Sequence, residues 1–189
     1  MRNFLRIGQG TDVVPLLAAI ARRPELWRED TYLRDYPQGP FGQVDSIILR
    51  FPKRIIVATA EEVEQHLVNN DEHESLDTPS YAALPEARPL VMALMSYVGG
   101  TRLGRVIINR VAPGGCIFPH ADSPAHAEYY ERHHIVLQSA PGVDFRCEEE
   151  HVYMGTGETW WFNNALNHEV VNNSATDRIH LIIDIRCAR

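Results

Sequence analysis

The sequence predicts a mainly β fold of the sandwich or barrel kind, with a jelly-roll, cupin-like arrangement as its natural eight-strand form and helices flanking it on the N-terminal side. Three observations carry this expectation. From residue 104 onward, short β-branched runs alternate with turn signals at Pro113-Gly114-Gly115, Ala140-Pro141-Gly142 and Gly155-Thr156-Gly157. Before that point the pattern is mixed helix and strand. The chain has 189 residues, 44% of them apolar, which suits one sizeable core. The expected organisation is therefore a single domain over 1–189, with 1–103 as a helix and strand support region and 104–189 as the jelly-roll core.

Taken in order, Thr11-Asp12 can cap a helix that carries Val13, Val14, Leu17 and Ile20 at helical spacing and ends near Arg23-Pro24. Residues 45–51 are rich in branched side chains and stop at Pro52, which predicts a strand, and 54–57 predicts a second short one. Thr59 and Glu62 form a capping box for a helix reaching Leu67, and 69–80 reads as a loop. Pro85 opens a helix through Leu90, Leu94 and Tyr97 that Gly99-Gly100 closes. Strands are then expected at 106–111, 135–138, 152–154, 159–162, 169–171 and 179–185, with a helix-compatible stretch at 125–132.

Charge and composition exclude several functions. With 18 basic against 25 acidic residues the net charge is −7, and the two signs are interspersed, which argues against a nucleic-acid groove. No apolar run approaches the length of a membrane span or of a secretory leader, so a soluble, cytoplasmic protein with no membrane partner is expected. Cys116, Cys147 and Cys187 form no Cys-x-x-Cys pair, so neither a disulfide framework nor a thiolate zinc site is indicated. All the basic residues except Lys53 are arginines, a skew that suits the holding of small acids and that a GC-rich genome also produces.

The first chemical constellation is His120-Ala121-Asp122, with His168 between two short strands further on. Residues i and i+2 of a strand share a face, so His120 and Asp122 can meet His168 arriving from a neighbouring strand. Two histidines and one carboxylate on one face leave coordination positions open, as in non-haem Fe(II) oxygenases. Composition alone supplies about one His-x-acid triplet by chance, and a second does occur at His126-Ala127-Glu128, where helical spacing sets the two side chains apart. The second constellation is Arg178 at the head of the apolar run 179–185. An arginine entering a buried strand needs an anion, either Asp177 or Asp184 in the chain or a bound carboxylate.

Several ordered segments resemble one family. Ile107-Ile-Asn109-Arg-Val-Ala-Pro-Gly-Gly-Cys-Ile-Phe-Pro-His120-Ala-Asp122, the pair Arg132 and His134, the segment 157–170 around His168 and the segment 173–184 around Arg178 together resemble the aspartyl/asparaginyl β-hydroxylase family of Fe(II)/2-oxoglutarate oxygenases. The resemblance spans about residues 104–186. It implies a double-stranded β-helix, with Fe(II), 2-oxoglutarate as co-substrate and O2 as the cofactors. It implies that His120, Asp122 and His168 bind iron and are the catalytic centre. It also implies that Arg178, with Asn109, binds the distal carboxylate of 2-oxoglutarate, and that Arg132 and His134 approach the metal-chelating end. Some animal members lack the carboxylate that Asp122 supplies here, and with it present hydroxylation is favoured over halogenation.

The function expected on these grounds is hydroxylation of an unactivated C–H on a small carboxylate-bearing molecule, an amino acid or derivative, or on an Asp/Asn-type peptidyl side chain. The alternatives are hydroxylation of a lipid acyl chain and a cupin-like metal-binding sensor or binding module without turnover. For the substrate, Arg50 is the leading candidate because it is a charge in the apolar run 47–51, and His126 and Tyr129 follow because they leave the metal motif.

Overall fold

The computed structural model describes residues 2–54, 59, 61 and 71–188. The expected strand at 54–57 and the capping-box helix from Thr59 to Leu67 lie outside the described residues for all but a few positions. In chain order the elements are β1 (Phe4–Gly8), α1 (Val14–Ala21), α2 (Leu26–Glu29), α3 (Tyr32–Asp35), β2 (Val44–Phe51), β3 (Leu76–Asp77), α4 (Pro79–Ala83), α5 (Ala87–Tyr97) and β4 (Gly100–Val111). They continue with β5 (Cys116–His120), α6 (Pro124–Tyr129), β6 (Glu131–Gln138), β7 (Val143–Cys147), β8 (Glu150–Val152), β9 (Thr159–Phe162), β10 (His168–Asn172) and β11 (Arg178–Cys187).

All described strand pairs are antiparallel. They form a seven-stranded sheet in the order β1-β9-β6-β11-β4-β2-β3 and a four-stranded sheet in the order β5-β10-β7-β8. From β4 to β11 the chain passes repeatedly between the sheets, which is the jelly-roll winding the turn pattern predicts. The N-terminal strands extend the large sheet at both edges, β1 on β9 and β2 on β4. The expected helices form at α1, α5 and α6. Asp12 accepts the Val14 N–H at 3.1 Å at the first, and Gly99, at φ +66, closes the second.

Strand alternation sorts the core into two layers. On the outer face of the large sheet, Ile47, Val106, Ile135, Leu181 and Ile183 pack with Leu16, Trp27 and Val91 from the helices. Each such side chain contributes roughly 1.5–3 kcal/mol by leaving water. Between the sheets a second cluster holds Phe4, Val44, Val111, Val136, Phe145, Phe162 and Val170.

The inner face also carries polar residues. β11 is buried from Arg178 to Ile185, with Ile179, Leu181, Ile183 and Ile185 outward and the intervening Arg178, His180, Ile182 and Asp184 inward. Opposite Asp184 the ladder with β4 shifts, since Ile183 pairs with Val106 and Ile185 with Leu103, so two residues, Gly104 and Arg105, face one. Glycine is required there. A Cβ at Gly104 would meet the Tyr130 ring at 2.8 Å and the Asp184 carbonyl at 3.1 Å. Among the described residues no helix is long and apolar enough to cross a membrane.

Candidate active site

His120 ends β5 and His168 begins β10, and the antiparallel register sets them opposite each other with ring centroids 4.2 Å apart. Asp122 lies two residues past the end of β5. Its position is set by its backbone N–H, which donates to the Asn164 carbonyl at 3.1 Å, more than by strand alternation. One ligand atom from each of His120, Asp122 and His168 lies within 4.8 Å of the others. The second His-x-acid triplet, on α6, is not in this cluster.

The hydrogen bonds around the cluster suit a metal. His120 Nδ1 contacts the Phe118 carbonyl at 2.8 Å and His168 Nδ1 the Leu166 carbonyl at 2.9 Å. A carbonyl oxygen only accepts, so both Nδ1 atoms carry the proton and both rings present Nε2 as a lone pair. Burial lowers the pKa of His120, and burial followed by the charge of His120 takes His168 down to about 4. Both rings are thus held in the neutral, ligating form. On Asp122, Asn164 Nδ2 at 2.6 Å and Arg132 Nη1 at 2.7 Å both engage Oδ2, which leaves Oδ1 outside these two bonds and able to ligate.

Arg132 is fully committed to acids. Its Nε and Nη2 grip Asp184 at 2.7 and 3.0 Å, and its Nη1 holds Asp122. Against the cost of burial, the Asp122 and Asp184 charges raise its pKa. Asp184 also takes the His126 Nε2–H at 2.8 Å. Burial would raise its pKa, but the Arg132 charge and the His126 hydrogen bond hold it far below the usual carboxylate range. Arg132 therefore orients the carboxylate beside the metal cluster, and it also lines the cavity that holds His120, His168 and Arg178.

Arg178 is the opposite case. It is 0% exposed and has no acidic partner among the described residues, because Asp184 is taken by Arg132 and His126. Its Nη2 donates to His180 Nδ1 at 3.0 Å, while Nε and Nη1 are buried without a partner. Burial alone brings its pKa down to about 9. His134 Nδ1 lies 3.1 Å from the same His180 nitrogen, which already accepts from Arg178, so His134 is the donor in that pair. A narrow cavity between the sheets is lined by Asn109, His120, His134, Phe162, His168 and Arg178. Asn109 accepts the Ser46 hydroxyl at 2.8 Å through Oδ1, which leaves its amide N–H groups as donors. An orphaned buried cation in a cavity that also holds two histidines of the cluster fits a small carboxylate that chelates a metal.

The three substrate candidates already have partners. Arg50 pairs with Asp77 of β3 at 2.5 Å. His126 is buried against Asp184, and Tyr129 is stacked between His73 at 3.6 Å and Arg186 at 4.1 Å, with its hydroxyl accepting from Arg102 at 3.0 Å. None of the three lines the cavity with the cluster. Sequence reasoning missed Asn164 and the role of Asp184 as anchor of Arg132. An acid inside the apolar run 179–185 is the signal that could have found the latter.

The sequence pattern described as Aspartyl/Asparaginyl beta-hydroxylase matches residues 64–187 and includes every residue of the cluster, Arg132 and Arg178. The chain belongs to the aspartyl/asparaginyl β-hydroxylase family. An L-proline cis-4-hydroxylase from Rhizobium meliloti (strain 1021) is 32% identical over 121 residues, 64% of this chain and 42% of that protein. The chain thus spans less than half the length of this curated relative. Among solved structures, a viral collagen prolyl hydroxylase from Paramecium bursaria Chlorella virus 1, in a 2-oxoglutarate complex, aligns with a TM-score of 0.51. That alignment covers 99% of this chain and 97% of that one at 10% identity, a likeness of fold. A Pseudomonas putida prolyl-4-hydroxylase aligns at TM-score 0.49 and 14% identity, covering 100% and 95% of the two chains.

Proposed function

We propose that this chain is an Fe(II)- and 2-oxoglutarate-dependent dioxygenase that hydroxylates an unactivated C–H of a small carboxylate-bearing molecule of the amino-acid kind. The observation that carries the reading is Arg178, a buried arginine without an acid, in one cavity with His120 and His168. When bound, Fe(II) and 2-oxoglutarate supply the oxidising chemistry: O2 is consumed, 2-oxoglutarate becomes succinate and CO2, and the substrate C–H becomes C–OH.

The residues divide the work. His120, Asp122 and His168 would hold the metal, a three-ligand set that suits binding of the co-substrate and O2. Arg178 takes the distal carboxylate, with Asn109 as a second donor. Arg132 and Asn164 fix the rotamer of Asp122, while Phe162, 4.9 Å from the His168 ring, keeps the wall of the cavity apolar. The amino-acid kind of substrate is supported by the relative named for L-proline hydroxylation.

The test is direct. Under anaerobic conditions Fe(II) plus 2-oxoglutarate should give a weak visible charge-transfer band, and O2 should then release succinate, faster when the substrate is present. A chain that binds Fe(II) but gives neither band nor succinate would instead be a metal-binding module.

A further inference from the structure

We propose that Arg105 is the residue that recognises the carboxylate of the hydroxylated substrate, an inference that rests on the dioxygenase reading above. Among the described residues, Arg105 and Arg178 are the arginines that leave a buried guanidinium nitrogen without a partner and have no acidic partner. Arg50, which also leaves its Nε unpartnered, is paired with Asp77. The Arg105 guanidinium lies 5.2 Å over the Phe51 ring, a contact that orients a cation without neutralising it. The charged groups around it are Asp184, Arg132 and Asp122, which places it in the electrostatic reach of the ligand carboxylate.

Strand register places Arg105 beside the acid that anchors Arg132. Gly104 and Arg105 are the two residues that bulge opposite Asp184, and bulges beside active sites re-aim side chains. Asp184 is paired in turn with Arg132, so Arg105, Asp184 and Arg132 form one row across the sheet. Arg178 heads the same β11 six positions earlier, about 20 Å away along the strand at its usual rise. Arg178 lines the cavity with His120 and His168 and Arg105 does not, so the two arginines are assigned to different anions. Arg105 stands in the same row as Arg132, whose charge is already used by Asp122 and Asp184. A substrate carboxylate meeting Arg105 through a two-pronged pair would complete the row and set which carbon faces the metal.

The experiment uses Arg105→Gln and Arg105→Lys in the full chain, with free L-amino acids, L-proline first, and their carboxamides as probes. The wild type should release succinate faster with one or more of the acids and not with the matching amide. In Arg105→Gln, kcat/KM for that acid should fall about 100-fold, chiefly through KM, and the preference for acid over amide should collapse. Arg105→Lys should fall between. In both variants the Fe(II)/2-oxoglutarate band should persist, and Tm should equal or exceed that of the wild type, because no ion pair is lost. An unchanged KM and acid preference in Arg105→Gln would overturn the proposal. So would a wild type that forms the band but answers to no acid of the panel, or a loss of fold in both variants. Absence of the band in the wild type is a separate failure, that of the dioxygenase reading itself.

Discussion

The two faces of the large sheet are built from the same strands and obey opposite rules. On the outer face, β11 contributes Ile179, Leu181, Ile183 and Ile185 to a layer that is apolar from sheet to helix. On the inner face, three of the four alternate residues, Arg178, His180 and Asp184, are charged or polar and 0–1% exposed, with Ile182 the apolar one. Burial of the first set stabilises the fold, and burial of the second set costs free energy that only partners can offset. Arg132, Asp184 and His126 have such partners in the chain. Arg178 has none among the acids, so its burial stands against stability and points to something outside the polypeptide.

This contrast can be broken most severely by exchanging one residue on each face. Arg178→Met should weaken 2-oxoglutarate binding by about 3–5 kcal/mol, since the co-substrate carboxylate would be buried alone, while the Tm of the ligand-free chain should stay level or rise. Leu181→Ala, one face away, should cost about 2–5 kcal/mol in unfolding free energy through the cavity it leaves, and the folded fraction should bind 2-oxoglutarate as the wild type does. Denaturant titration and 2-oxoglutarate titration of both variants decide the matter. If Arg178→Met destabilised the chain as Leu181→Ala does, the inner face would be structural too.

A smaller effect tests how the inner face holds its metal cluster. Asn164 donates to the same Asp122 oxygen as Arg132 and touches no other member of the cluster in a described hydrogen bond. Asn164→Ala should lower Fe(II) affinity about 10- to 100-fold through a freer Asp122 rotamer, with little change in Tm. Metal titration by calorimetry would show it. An unaltered affinity would mean that Arg132 alone fixes the carboxylate.

How far the sequence foretold these faces depends on the distance between partners along the chain. The apolar period of 179–185, the helix closed by Gly99 and the His120, Asp122 and His168 cluster are local or motif-borne, and they were legible. The assignments of Arg50, His126, Tyr129 and Arg132 depended on partners far off in sequence. Asp77 lies 27 residues from Arg50, Asp184 lies 58 from His126 and 52 from Arg132, and no local pattern reports such pairs. The strands β1 and β7 escaped notice for another reason. Each is five residues long and interrupts its apolar positions with an arginine, so pairing with β9 and β10, more than propensity, makes it a strand. Arg105 was legible in principle, since it heads the apolar run 106–111 as Arg178 heads 179–185, and the same argument from a charge entering a buried strand applies to both.

The smallest effect separates two adjacent histidines. His133 and His134 follow each other on β6, so alternation sends His134 to the inner face, where it meets His180, and His133 to the outer one. His133 is 2% exposed and its Nδ1 has no partner. Burial, opposed only weakly by the Asp184 charge, brings its pKa down to about 4. The unfolded chain takes up a proton on this ring near pH 6.5 and the native chain only near pH 4, so stability falls as pH drops through that window and levels off below it. At pH 5 the loss attributable to His133 is about 2 kcal/mol. His134 and His180 titrate in the same direction, so the wild-type slope alone cannot isolate one ring. The comparison is therefore between wild type and His133→Gln, unfolded in denaturant at pH 7 and pH 5 with a chelator present. The variant should lose about 2 kcal/mol less than the wild type over that step, and equal losses would mean that His133 is hydrated in solution and that the outer face is not uniformly dry.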